Sequence, residues 1–278
     1  MRWTPGGQSE NIEDRRGVRI GRAGAGVGIG GVLILAALSL MTGQNFFALL
    51  DVAPTQVQTT DGPVESSPEE KRQVQFVSFV LDDAQRTWAK LLPDRYHDAK
   101  LVLFRDAIDS ACGYAQSAMG PFYCPRDEKV YIDLGFYDEL RDRFGANGDF
   151  AQAYVLAHEI GHHVQHLLGI DAKMRQAQQG RRDLANELSV RLELQADCLA
   201  GVWGHSTKQR DILEQGDVEE GLRAAAAIGD DRIQKQAQGY VVPESFTHGS
   251  SKQRVEWFRR GLETGDRQAC DTFAQSGE

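Results

Sequence analysis

Ala157-His158-Glu159-Ile160-Gly161-His162-His163 is the stretch on which the reading of this 278-residue chain turns. An α-helix advances about 100° per residue, so His158 and His162 lie about 40° apart and one turn along. Two imidazole nitrogens at that spacing can converge on one ion at roughly 2 Å each, the distance that zinc requires. Glu159 stands beside the pair, placed to take a proton from a metal-bound water rather than to bind the metal. A pattern this short also arises in unrelated helices. The rest of the chain must supply a third ligand, a compartment and an edge for substrate.

The helix itself is predicted from about Phe150 to Leu168, started by Asn147-Gly148-Asp149 and stopped by Gly169. Val155, Leu156, Ile160, Val164, Leu167 and Leu168 cover much of its circumference, so it reads as a buried central helix with no structural need for several histidines. Among the other histidines, His166 lies about 12 Å along the axis from His158, and His163 points about 100° away from His162. His97 falls in a loop, and His205 has no partner pattern. A second long helix, about Arg182 to Trp203, carries a stripe of Leu184, Leu188, Leu192, Leu199 and Val202 together with Glu193 and Asp197. Glu193 is the better placed third ligand, with Glu187 the runner-up, its six-residue offset turning it about 240° from Glu193. Asp197, one turn beyond Glu193, is placed to accept a hydrogen bond from the far ring nitrogen of His158 or His162. Burying this acidic pair on an apolar helix calls for a cation nearby. The bland alternative is a surface ion pair with Arg191 or Arg182.

Composition bounds the compartment and the partners. Hydrophobic residues make up 41 % and charged residues 26 %, ordinary for a folded domain, and the net charge of −9 argues against nucleic acid as a partner. From Ala23 to Leu50 there is no charged residue. Such a stretch is long enough to cross a bilayer, and Arg2, Arg15, Arg16, Arg19 and Arg22 precede it. It reads as a retained signal anchor over 23–50, with 1–22 in the cytoplasm, 51–68 a linker, and 69–278 an extracytoplasmic domain attached to the bacterial cytoplasmic membrane by one span. A cleaved signal peptide is the competing reading, but no small-x-small site is clear. Outside the cytoplasm the four cysteines favour two disulfides, Cys112–Cys124 closing a short loop and Cys198–Cys270 tying the chain's end to a helix.

The remaining pattern is α+β and mostly helical. Ser67-Pro68-Glu69-Glu70 opens an amphipathic helix ending near Pro93. Lys100–Arg105 and Lys129–Asp133 read as strands. Two prolines around Phe122–Cys124 suggest an edge position there. A short helix near Phe136–Phe144, a polar connection after Gly169, a helix from Gly216 and another capped by Ser250 or Ser251 complete the order.

His158-Glu-Ile-Gly-His-His-Val-Gln165 with Glu193-Leu-Gln-Ala-Asp-Cys198 resembles the gluzincin metallopeptidases. With Gly120-Pro-Phe-Tyr-Cys-Pro125, Val130-Tyr-Ile-Asp-Leu134 and Phe246-Thr-His-Gly-Ser-Ser251, the chain looks more closely like the bacterial, membrane-anchored "putative neutral zinc metallopeptidase" family. The resemblance implies His158, His162 and Glu193 as ligands of one catalytic Zn2+ and Glu159 as general base. It also implies a compact gluzincin-like core in which the edge strand of a small sheet lies over the active-site helix. The expected activity is endopeptidase cleavage of extracytoplasmic proteins or peptides through a zinc-activated water. The substrate would be bound as an added strand along Phe122–Cys124 or Val130–Ile132. His248 and Tyr240 are the candidates for oxyanion donor. The alternatives are a non-catalytic membrane-anchored metal-binding protein and a zinc amidase acting on cell-wall peptides.

Overall fold

The computed structural model describes residues 1–23, 56–61, 64–143, 145–179, 181 and 184–274. They fall into two compact units, Met1–Arg15 with Glu65–Glu278, and Arg16–Val64. In the larger unit a four-stranded sheet is built from β1 (Ile12–Asp14), β4 (Lys100–Phe104), β8 (Lys129–Asp133) and β7 (Phe122–Cys124), in that spatial order. β1 and β8 run parallel to β4, and β7 runs antiparallel to β8, with Phe122 opposite Tyr131. β7 is therefore the edge strand, where Pro121 and Pro125 remove no ladder bond that a neighbour needs. Val130–Ile132 is interior, between β4 and β7, and offers no edge to a peptide. A hairpin of β5 (Ala107–Ser110) and β6 (Gly113–Gln116) follows β4.

The helices cover this sheet and one another. α1 (Pro68–Leu91) is capped by the Ser67 hydroxyl, which accepts from the Glu70 amide, and buries Val77, Val80, Leu81, Ala84 and Trp88. α2 (Gly135–Asp142) precedes α3 (Asp149–Leu167), the helix of the opening motif, which packs against α1 and β7. α4 (Ile170–Gln179) occupies the polar stretch read as an irregular connection. Its one buried residue is Asp171, so no apolar stripe marks it in the sequence. α5 (Ala185–Gln209), α6 (Asp217–Ala227), α7 (Asp230–Gln238) and α8 (Ser251–Thr264) complete the unit.

α5 runs between α3 and α8 at backbone contact, and glycines make this possible. A Cβ on Gly161 of α3 would lie 2.9 Å from the Ala196 carbonyl oxygen, and one on Gly261 of α8 would lie 1.9 Å from that of Cys198. The close crossing brings the Glu193–Asp197 turn of α5 onto the His158–His162 turn of α3. Cys112–Cys124 and Cys198–Cys270 are both disulfide-bonded. The second ties α5 to the 3₁₀ turn Arg267–Cys270 that follows α8.

The domain does not begin at residue 69. Met1–Arg15 belongs to the same unit, because β1 contributes a strand to its sheet. Within the stretch read as a linker, β3 (Gln56–Asp61) pairs antiparallel with β2 (Val18–Ala23). The span read over 23–50 lies, from residue 24 onward, outside the described residues. Among the described residues no helix is long and apolar enough to cross a membrane.

Gly261→Ala tests the close crossing. Backbone atoms of α5 must move to admit the methyl group, so urea unfolding should show a loss of about 3 kcal/mol. A loss below about 0.5 kcal/mol would mean that the helices are not held at backbone contact.

Candidate metal centre

His158 and His162 leave the same face of α3 one turn apart, and their Nε2 atoms lie 3.1 Å from each other. Glu193 reaches in from α5, with Oε2 3.2 Å from His158 Nε2 and Oε1 3.4 Å from His162 Nε2. Tetrahedral zinc with bonds of about 2.0–2.1 Å separates its ligand atoms by about 3.3 Å. These three donors already stand near that separation, so the residues fit a zinc ion without rearrangement. Among the described residues they are the only group of three or more such side chains whose ligand atoms converge this closely. Glu187 is exposed and paired with Arg191 at 2.7 Å, which removes it as a ligand. His205 Nδ1 faces the Leu262 carbonyl oxygen at 2.9 Å, away from the centre. Arg182 lies outside the described residues.

Behind the ligands stands a buried polar network in which the sequence reading placed Asp197 but not Tyr154 or Arg254. His158 Nδ1–H donates to Asp197 Oδ1 at 2.8 Å. The same carboxylate accepts from the Tyr154 hydroxyl at 2.5 Å and from Arg254 Nη2 at 2.9 Å, while its Oδ2 accepts from Arg254 Nε at 2.8 Å. Asp197 is 0 % exposed and Arg254 2 %. Burial alone would raise the Asp197 carboxyl, but the guanidinium and the imidazole outweigh it and hold the group below its ordinary value. Arg254 had one visible signal. It stands one turn before Phe258, on the stripe of α8 that buries Trp257, Phe258 and Leu262. His162 is held from its other side, its Nδ1 lying 2.9 Å from Gln165 Oε1.

Glu159 is buried within the cleft that also exposes the three donors, a volume of about 600 Å³. Burial raises its carboxyl above the ordinary value, against the pull of His158 and His162. One wall of the cleft is β7, contributing Phe122 and Tyr123; Val155, Ile228 and Ile233 also line it. His163 fastens that strand to α3. Its Nε2–H donates to the His97 carbonyl at 2.7 Å, which leaves Nδ1 to accept from the Tyr123 hydroxyl at 2.9 Å. His166 is occupied at the same end of the helix, its Nδ1 lying 2.9 Å from Asp171 Oδ2.

His248 lines the cleft, and Asp230 at the start of α7 holds its loop. Asp230 Oδ2 accepts from the backbone amides of Thr247, His248 and Gly249 at 2.7–3.0 Å, and Oδ1 lies 3.2 Å from His248 Nδ1. The Asp230 bond, against burial, raises the His248 imidazole above its ordinary value. Tyr240 is 62 % exposed in the loop after α7 and does not line the cleft, so the geometry withdraws it as an oxyanion donor.

Two histidines on one helix, a carboxylate from a second and a buried glutamate beside them form a candidate metal centre of the zinc-peptidase kind. The chain belongs to the family described as "Putative neutral zinc metallopeptidase", whose profile matches residues 1–273. It is 48 % identical over 288 positions to "Uncharacterized protein YpfJ" of Escherichia coli K12, covering 99 % of this chain and 100 % of that one. It is 46 % identical over 198 positions to "Uncharacterized protein Rv2575" of Mycobacterium tuberculosis, covering 67 % and 66 %. No solved structure matches the chain.

The electrostatics give the centre a pH dependence. Burial favours a neutral His158, but Asp197 and Glu193 outweigh it and raise the ring to about 10. A metal ion must displace that proton, so zinc affinity measured by chelator competition should rise about tenfold per unit between about pH 6 and pH 8. The raised value works oppositely on the metal-free fold. Its contribution to stability is complete below the ordinary histidine value of about 6.5 and is lost as pH climbs toward 10. An affinity that stays flat across this range would refute the assignment.

Proposed function

We propose that the protein is a zinc-dependent endopeptidase of extracytoplasmic proteins or peptides, with Glu159 as general base. The observation that carries this reading is the buried Glu159 carboxyl beside three convergent donors, in a cleft walled by an open sheet edge. His158, His162 and Glu193 would hold the zinc ion, which when bound would supply a Lewis acid to polarise a carbonyl and lower the pKa of water. Glu159, its carboxyl raised by burial, accepts the proton of the attacking water and passes it to the leaving amine. His248, anchored through Asp230, donates to the oxygen on which negative charge develops. The peptide lies extended along β7, adding a strand to the sheet by main-chain hydrogen bonds.

Glu159→Gln keeps the size and the burial but cannot take the proton. The variant should bind zinc and fold as the wild type does, while cleavage of an unfolded protein falls by about 10²–10⁴-fold. Retained cleavage would overturn the mechanism. Loss of peptidoglycan cleavage, with unfolded protein untouched in both forms, would point to the amidase instead.

We also propose that the domain lies outside the cytoplasm, attached to the cytoplasmic membrane through the stretch 23–50. Two disulfides fit an oxidising compartment. Because β1 pairs with β4, Met1–Arg15 shares that compartment. A single crossing over 23–50 with a cytoplasmic N-terminus, which the arginine distribution predicts, is therefore given up, and the stretch is proposed as a membrane attachment rather than as one span. A cysteine introduced at the exposed Gln8 should react with a membrane-impermeant maleimide in intact spheroplasts. Labelling seen only after lysis would put the N-terminus inside.

A further inference from the structure

His162 is the ligand whose far nitrogen meets no carboxylate. Its Nδ1 faces the side-chain oxygen of Gln165, three residues along α3, at 2.9 Å. Gln165 is 0 % exposed, and its Nε2 donates to the Leu192 carbonyl at 2.7 Å and to Gln195 Oε1 at 3.0 Å. Gln195 is also buried, and its own Nε2 donates to the Cys270 carbonyl at 3.0 Å. An amide side chain can ordinarily be turned end for end, and its orientation must be judged from its partners. Here two of the partners are backbone carbonyls, which can only accept.

That fact orders the whole chain. Cys270 O requires the NH₂ of Gln195, which turns Gln195 Oε1 toward Gln165. Leu192 O and Gln195 Oε1 together require the NH₂ of Gln165, which turns Gln165 Oε1 toward His162. The imidazole must then carry its hydrogen on Nδ1, leaving the lone pair of Nε2 directed at Glu193 and His158. The relay starts at the carbonyl of a residue that the Cys198–Cys270 disulfide ties to α5, the helix that also bears Gln195 and Glu193. Leu192 O, its second anchor, belongs to the residue immediately before the ligand Glu193.

We propose that Gln165 and Gln195 are positioning residues of the metal centre: a directional amide relay from the Cys270 carbonyl that fixes the tautomer and ring orientation of His162. The proposal rests on the three-donor metal reading and is independent of whether the centre cleaves peptides. A packing role alone would lower the stability of the metal-free fold and leave zinc affinity unchanged. The relay predicts the reverse weighting.

The test is chelator competition for zinc, with unfolding of the metal-free forms measured alongside. Gln165→Met keeps the volume but supplies neither acceptor nor donor, and should weaken zinc binding about 10–100-fold. Gln195→Met, which touches neither metal nor ligand, should give a smaller loss in the same direction, because Leu192 O still anchors Gln165. Nitrogen-15 NMR of the metal-free wild type, at a pH where the ring is neutral, supplies a measurement that does not depend on variants folding, and should show the His162 proton on Nδ1 before any metal binds. Zinc affinity of folded Gln165→Met within twofold of the wild type, or a proton found on Nε2, would overturn the relay. A wild type that binds no zinc would overturn the metal reading itself. Zinc binding without peptide cleavage would sink only the peptidase assignment.

Discussion

The carboxylate of Asp197 is the point on which the site hangs. It is fully buried, and it accepts from a histidine, a tyrosine and an arginine that come from two other helices. Leaving such a charge buried with a partner removed costs about 3–5 kcal/mol, so the three helices are held to one arrangement. The charge count agrees with what the centre is built to receive. Glu159, Glu193 and Asp197, when ionised, bring three negative charges and Arg254 one positive, leaving −2 once the imidazoles have given up their protons, which a divalent cation offsets. None of this is possible unless α5 comes within backbone contact of α3 and α8, which is why Gly161 and Gly261 matter as much as the ligands.

The other half of the site is held just as firmly. His163 belongs to the motif yet binds no metal; it locks the edge strand to the helix through Tyr123 and pins the loop before β4 through the His97 carbonyl. A cleft whose floor is one helix and whose wall is a strand bonded to that helix keeps its geometry without help from a substrate. Sites mounted on regular elements are more exact than sites on loops. His248 is the exception, and Asp230 compensates by gathering three successive backbone amides of its loop onto one oxygen.

How much of this the sequence disclosed follows a physical line. Helical spacing groups His158, Glu159 and His162 on one helix and Glu193 with Asp197 on another. The cost of burying that acidic pair and the family resemblance join the two groups, while long apolar stripes mark α1, α3, α5 and α8. Compartment and count point to two disulfides, and of the three possible pairings the structure has the expected one, Cys112–Cys124 with Cys198–Cys270. Arg254, Tyr154, Gln165 and Gln195 were not legible, since their roles arise only where three helices meet. α4 and α7 escaped because the only residues they bury are Asp171 and Asp230, so no apolar stripe marks them. Tyr240 has the chemistry of an oxyanion donor but sits out in solvent, while Val130–Ile132 has an alternating pattern but lies inside the sheet. Parallel pairing explains the missed β1: its partner is almost ninety positions away, and no local pattern of three residues can announce that.

That first strand has a consequence for handling the molecule. β4 is almost wholly apolar, with Leu101, Val102, Leu103 and Phe104 all buried, and β1 covers one of its two hydrogen-bonding edges. A polypeptide trimmed to begin after the uncharged stretch keeps every metal ligand and both disulfides, yet it bares a row of amides and carbonyls on a sticky, buried strand. Uncovered edges of this sort template pairing with other chains. The shortest soluble form of the protein therefore has to carry its opening fifteen residues, covalently or as an added peptide, and clumping of shorter versions would reflect a missing strand rather than a misbuilt active site.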